Sequence, residues 1–253
     1  MDLGLKGRRA LVTASSKGLG RACAQALAGE GARVFISSRD GALLEKVARE
    51  IGAAGWHAAD VSKPGGPESA VDAAVANLGG LDILVVNAGG PRAANFQGTT
   101  IEDWDAAHQL TLMSAVRLIK QALPHLKKSE QGRIVIITSI SVRQPIATLV
   151  LSNSERAAVT GMAKTLSAEV APDGITVNCM APGTILTDRI RHLAPAGMDV
   201  DQYIKQSAAN VPMGRLGDPA EFGAICAFLC SKQAGFVTGQ TVGVDGGLLL
   251  GVH

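Results

Sequence analysis

The chain has 253 residues, 24 basic against 22 acidic side chains for a formal net charge of +2, and only 3% aromatic residues. A charge so near balance gives no attractive field for nucleic acid, and so few aromatics leave no stacking platform for single strands. A chain of this length buries most of the surface its unfolded form exposes, so one α/β domain holds together without covalent staples.

The periodicity predicts a strand over 8–14 (RRALVTA), then a helix over 18–30 with Leu19, Ala22, Cys23, Ala26 and Leu27 on one face. A second strand follows at 32–38 and a helix near 40–52, then a short strand at 57–61 and a helix near 68–78. The buried strand 81–86 leads to one long helix over 101–126, with Pro124 near its end. Strand 133–139, helix 153–171 and strand 175–180 come next, then a looser segment at 183–212, a helix at 219–231 and a last strand at 241–244. The strands are short, continuous and rich in Val and Ile, as strands covered on both faces are. Each is followed by a helix, the pattern of a mainly parallel sheet flanked by helices in a single domain. Segment 183–212 is the one long irregular stretch, and loops of that length in compact domains usually serve function, so it is expected to be a substrate lid.

Cys23, Cys179, Cys226 and Cys230 form no CxxC pair, and Cys226 and Cys230 lie one helical turn apart in an apolar run. They read as reduced core thiols of a reducing compartment. The opening MDLGLKGRR has no apolar signal core, and no apolar run reaches the roughly 18 residues of a membrane span. The expected location is cytoplasmic, with no membrane partner. His108, His125 and His192 lack ligand-like spacing, so no metal is expected.

Between the first strand and first helix the chain reads Thr13-Ala14-Ser15-Ser16-Lys17-Gly18-Leu19-Gly20. Glycines there let a backbone approach a diphosphate while the helix N-terminus offers unpaired N–H groups. Without the strict GxGxxG spacing, the segment alone is also compatible with an unliganded turn. Taken with the rest of the chain, it resembles the TGxxxGxG loop of the short-chain dehydrogenase/reductase family, with Ala14 replacing the first glycine. Asp60-Val61 matches that family's adenine-contacting pair, and Asn87-Ala88-Gly89 its NNAG segment, with Val86 for the first asparagine. Asn178, Pro182-Gly183 and Thr187 match the region along the nicotinamide, while Gly214–Pro219 and Val244–Gly247 match the C-terminal pattern. The resemblance implies a doubly wound Rossmann-type fold, with Thr13, Ser15, Ser16, Lys17, Gly18, Leu19, Gly20, Arg39, Asp60, Val61, Asn87, Ala88, Gly89, Pro182, Gly183 and Thr187 at the cofactor.

A Rossmann site selects NAD(H) with an acid at the ribose and NADP(H) with a basic residue near the 2′-phosphate. After the second strand this chain reads Ser37-Ser38-Arg39, with no carboxylate until Asp40, and Lys17 adds a second cation. NADP(H) is therefore expected over NAD(H).

The family resemblance also implies a catalytic Asn, Ser, Tyr and Lys. Ser139 matches the serine. The segment 152–159 (SNSERAAV) resembles the family's YSASKAAV, which puts Ser152 at the tyrosine and Arg156 at the lysine; Thr111 falls at the asparagine. Serine carries its hydroxyl close to Cβ and arginine is effectively always protonated, so the usual acid is missing. Tyr203, the sole tyrosine, lies in the expected lid, where it reads as packing or a substrate contact. Lys164 reads as structural, Glu155 as a helix-surface charge, a contact at the cofactor ribose or a new acid, and Arg143 as a solvated loop cation or a contact to a substrate carboxylate or phosphate.

Three functions are compatible with this pattern. The first is an NADP(H)-dependent oxidoreductase resembling 3-oxoacyl carrier-protein reductases, acting on a small carbonyl or alcohol or an acyl thioester with altered proton delivery. The second is an NADP(H)-binding partner or sensor without turnover, and the third a non-redox enzyme on the same fold. The resemblance further implies a homo-oligomer, tetramer or dimer, with Leu110, Met113, Val116, Leu118, Ala158, Met162 and Leu166 offering apolar faces.

Overall fold

The computed structural model describes residues 1–195 and 197–251. Among them the strands β1 (Arg9–Thr13), β2 (Arg33–Ser38), β3 (Gly55–Ala58), β4 (Ile83–Val86), β5 (Arg133–Ile137), β6 (Thr176–Pro182) and β7 (Thr241–Val244) form one sheet. Their order is β3-β2-β1-β4-β5-β6-β7, with every neighbouring pair parallel. The helices are α1 (Gly18–Gly29), α2 (Gly41–Ile51), α3 (Gly66–Leu78), α4 (Ile101–His108), α5 (Ser114–Leu126), α6 (Val150–Val170), α7 (Asp188–His192), α8 (Val200–Ala209) and α9 (Pro219–Cys230).

Strand alternation sorts the apolar side chains into two cores. Ala10 and Val12 of β1 join Cys23, Leu27, Leu44, Phe222 and Cys226 under α1, α2 and α9. Leu11, between them, joins Val71, Leu118, Leu126 and Val159 under α3, α5 and α6. Each large aliphatic side chain so enclosed contributes about 1.5–3 kcal/mol relative to exposure. All four cysteines are buried free thiols. No helix of the described residues is long and apolar enough to cross a membrane.

Three expectations change. The third strand is Gly55–Ala58, not 57–61, because the chain leaves the sheet at Asp60, whose Oδ1 accepts both the N–H and the O–H of Ser62 and starts a turn. Segment 101–126 is not one α-helix: Gln109–Met113 form a π-turn between α4 and α5. The Ser114 hydroxyl donates to the Leu110 carbonyl at 2.6 Å and to the Thr111 carbonyl at 3.3 Å, competing with the regular ladder there. Segment 183–212 is not irregular throughout, since it holds α7 and α8; Asp199 caps α8 by accepting the Gln202 N–H at 2.9 Å.

Candidate active site

In an open parallel sheet the crevice opens at the carboxyl ends of the strands where the strand order reverses. Here that point is between β1 and β4, and the two strand ends are tied together. The Thr13 hydroxyl donates to the Asn87 carbonyl at 2.7 Å and accepts the Asn87 N–H at 3.0 Å, while the Asn87 amide donates to the Ala14 carbonyl at 3.1 Å. Ala14 holds a left-handed backbone at φ 46°, and Gly18 follows at φ 55°. Gly20 is required by contact: a Cβ there would lie 2.5 Å from the Ala14 oxygen and 2.6 Å from the Asn87 amide nitrogen. The loop is thus a tight cradle at the start of α1, whose first turn carries no acidic residue to occupy its N–H groups. Lys17 is the residue before α1, and among the described residues it forms no ion pair.

Ser15 is a correction to the expected cofactor set. Its buried hydroxyl donates to the Val12 carbonyl at 2.8 Å and accepts the Ser37 N–H at 3.2 Å, and its own N–H donates to the Ser37 carbonyl. It fastens β1 to β2 and presents no polar group to a ligand. Val61 likewise turns its side chain into the core under α3.

At the end of β2 the Ser37 and Ser38 hydroxyl oxygens are buried without a hydrogen-bond partner among the described residues. Asp40 caps α2 by accepting the Leu43 N–H at 3.0 Å, and both it and Arg39 are exposed at that corner. Burial pushes the Asp60 carboxyl up, but its Ser62 hydrogen bonds and the nearby Arg39 charge outweigh this and hold it below its ordinary value. The strand ends therefore offer two unpartnered hydroxyls and, among the described residues, two cations that form no ion pair, around a glycine cradle. These residues fit the adenosine and phosphate half of a nicotinamide dinucleotide bearing a 2′-phosphate.

The other half lies beyond β5. Ser139 ends the extended run, and its oxygen accepts the Ser141 N–H at 3.1 Å. On α6, Ser152 and Arg156 share one face a turn apart. The Arg156 Nε–H donates to Ser152 Oγ at 3.2 Å and its Nη1 donates to the Ile137 carbonyl at 2.9 Å. Burial, and then the charge of Arg189, lower the Arg156 guanidinium to about 10, so it stays protonated at neutral pH. Thr111 lies in the π-turn, and its hydroxyl oxygen is buried without a partner among the described residues. Such turns recur at functional sites because they free groups from the helical ladder.

Other side chains depart from their sequence expectations. Glu155 is not a surface charge but is buried against the π-turn side of α6, with His108 Nδ1 at 3.2 Å from its Oε2. Arg143 is exposed, as a solvated loop cation would be, and its Nη2 donates to the Thr241 carbonyl at 2.8 Å. Lys164 donates to the Gly239 carbonyl at 3.0 Å, as a structural lysine would. Asn178 does not face the cleft: it donates to the Val237 carbonyl at 2.7 Å and accepts the Gln240 N–H at 3.1 Å. Leu118 is fully buried in the core and offers nothing to a second subunit. Tyr203 is half-buried on α8. Thr187 precedes α7 and its side chain lies 3.7 Å from where a Gly18 Cβ would be, so the segment after β6 closes over the phosphate cradle. Arg189, two residues on, went unnoticed in the sequence; its spacing from Thr187 was the available signal.

Residues 13–249 match the family described as Enoyl-(Acyl carrier protein) reductase. The chain is 36% identical over 251 residues to a 3-oxoacyl-[acyl-carrier-protein] reductase of Escherichia coli, covering 98% of this chain and 100% of that protein. It is 35% identical over 248 residues to dehydrogenase/reductase SDR family member 4 of Homo sapiens, covering 96% and 88% of the two. Its fold superposes on L-sorbose reductase from Gluconobacter frateurii, complexed with NADPH and L-sorbose, with a TM-score of 0.94 at 34% identity and full coverage of both chains.

Proposed function

The chain belongs to the short-chain dehydrogenase/reductase family, and on that premise we propose that it is an oxidoreductase that binds NADP(H) in preference to NAD(H) and acts on a carbonyl or alcohol with an altered proton-delivery arrangement. The observation that carries it is the cradle in which Gly20 sits against Ala14 and Asn87, opening beside the face that bears Ser139, Ser152 and Arg156. Thr13, Ser16, Lys17, Gly18, Leu19, Gly20 and Asn87 would hold the diphosphate and its neighbours. Arg39 with Lys17 would take the 2′-phosphate, since Asp40 is occupied as a helix cap. Asp60, Val61, Ala88 and Gly89 would border the adenine side, and Pro182, Gly183 and Thr187 the nicotinamide side. When bound, the reduced nicotinamide supplies a hydride for a carbonyl carbon.

The chain's own residues then have three tasks. Ser139 and Ser152 offer hydroxyl donors to the carbonyl oxygen. Arg156, fixed by Ser152 and Ile137, brings a permanent positive charge to the oxygen on which negative charge develops. None of these is a good acid near neutrality, so the proton comes from water or from the substrate. Thr111, in the π-turn, stands where the family carries its asparagine. Residues 183–212, which hold α7 and α8, form the substrate lid. The half-exposed Met113, Val116, Met162 and Leu166 support association with a second copy.

The test is to incubate the protein with NADPH and a panel of 3-oxoacyl thioesters, ketones and quinones while following loss of the NADPH absorbance. Consumption with at least one class is expected. Tight NADPH binding with no turnover on any class would overturn the redox reading and leave an NADP(H)-holding partner or sensor.

A further inference from the structure

We propose that Arg156 and Arg189 together bind an oxyanion at the carboxyl ends of β4 and β5, and that its source is the carboxylate of an oxo-acid substrate. The proposal deepens the oxidoreductase reading above and rests on it for the identity of the reacting group.

Both guanidiniums are aimed by backbone carbonyls at neighbouring strand ends. Arg156 spends Nε on Ser152 Oγ at 3.2 Å and Nη1 on the Ile137 carbonyl at 2.9 Å, while no hydrogen bond among the described residues uses its Nη2. Arg189 donates from Nη2 to the Pro91 carbonyl at 3.1 Å and lies flat over Gly90, where any Cβ would fall 2.7 Å from its Cζ. Ile137 ends β5, and Gly90 and Pro91 follow β4. The two cations therefore approach one crevice from α6 and from the segment after β6.

Neither has a counter-charge. Among the described residues no carboxylate oxygen lies within 4.0 Å of either guanidinium. Glu155, next to Arg156 in sequence, is turned away to His108 at 3.2 Å. The two positive charges are close enough that Arg189, after burial, lowers Arg156. Two like charges held together are unfavourable unless an anion joins them, and a planar guanidinium fork matches a carboxylate in geometry. Arg143 lies elsewhere, exposed and with its Nη2 on the Thr241 carbonyl of β7 rather than at the ends of β4 and β5. The Ser152 hydroxyl stands beside Arg156, and Ser139 follows the strand whose last carbonyl holds it, so the acceptor the pair fits is a carbonyl compound that also carries a carboxylate. A cofactor diphosphate presents the same oxyanion chemistry, and the test separates the two.

Acetoacetate and its ethyl ester serve as probes, titrated calorimetrically into the NADP⁺-loaded protein and into the cofactor-free protein. The acid is expected to bind at least about tenfold tighter than the ester, the scale of one charge-assisted hydrogen bond. Arg189→Gln should abolish that difference, Arg189→Lys should retain part of it, and NADPH affinity should move by less than about twofold in either. Equal binding of acid and ester by the wild-type protein overturns the proposal. So does an Arg189→Gln variant that keeps the acid preference and loses NADPH, which assigns the pair to the diphosphate. Failure of the wild-type protein to bind NADPH sinks the oxidoreductase reading instead, and acid binding to the cofactor-free protein then decides the anion site separately.

Discussion

The Arg156 Nε–H donates to the Ser152 hydroxyl oxygen at 3.2 Å across one turn of α6. A hydroxyl that accepts from a cation keeps its own proton free to donate into the cleft. Ser152→Ala and Arg156→Ala should each lower carbonyl reduction, in steady-state assays of NADPH consumption, by about tenfold or more. The paired change Ser152→Tyr with Arg156→Lys should raise it by about 10²-fold, because it supplies a positioned acid. No change in any of the three would place the chemistry elsewhere.

Ala14 holds φ 46° although it has a side chain. That backbone costs a non-glycine residue about 1–2 kcal/mol. Ala14→Gly removes the strain but loosens the unfolded chain by about 0.4–1 kcal/mol, so a net gain of up to about 1.6 kcal/mol is expected. A urea midpoint that falls would show that the strain is absent.

Gly20→Ala should do the opposite. The new Cβ would stand 2.5 Å from the Ala14 oxygen and 2.6 Å from the Asn87 nitrogen, two atoms that are themselves hydrogen-bonded. Both must move, at a cost of about 1–3 kcal/mol. Calorimetry should show a lower melting temperature together with weakened NADPH binding.

Cofactor preference is expected to follow Arg39. Its neutral replacement, Arg39→Ala, should weaken NADPH by about tenfold and leave NADH within about twofold, since only the former carries the 2′-phosphate. Parallel losses for both cofactors in fluorescence titrations would remove Arg39 from the selective site.

At the opposite end of the sheet, Asp82 accepts from Arg9 Nε at 2.9 Å, Arg9 Nη2 at 2.8 Å and the Ser129 hydroxyl at 2.6 Å. Burial pushes its carboxyl up, but these bonds outweigh burial and bring it from 3.8 to about 2. A depressed carboxylate stabilises the fold above its unfolded value and loses that contribution as pH falls from about 4 towards about 2. With Arg9 partly in water, the loss is about 1–2 kcal/mol. Asp82→Asn should flatten this part of the stability-against-pH curve, measured by urea unfolding.

Much of the fold was legible because its signals are local. Continuous apolar runs such as Ile83–Val86 and the glycines after Thr13 declare buried strands and a tight βα turn through side-chain volume and backbone freedom alone. That Ser152 and Arg156 fall one turn apart on a helix is equally a matter of residue identity and spacing. The π-turn at Gln109–Met113 was not legible, because it depends on how the Ser114 hydroxyl competes for the Leu110 carbonyl. Nor was the end of β3, which the Asp60–Ser62 turn sets.

By itself, then, the sequence determined the order of strands and helices along the chain and the glycine-bearing turn after β1. Tertiary structure decided which polar side chains are spent and which are left over. Ser15, Asp40 and Asn178 are engaged by hydrogen bonds to distant or capping backbone groups, and Glu155 is buried against His108. Arg156 and Arg189 reach the ends of β5 and β4 from different segments, and among the described residues neither has a carboxylate oxygen within 4.0 Å. A charge's partners depend on distances across the fold, and no one-dimensional spacing encodes them.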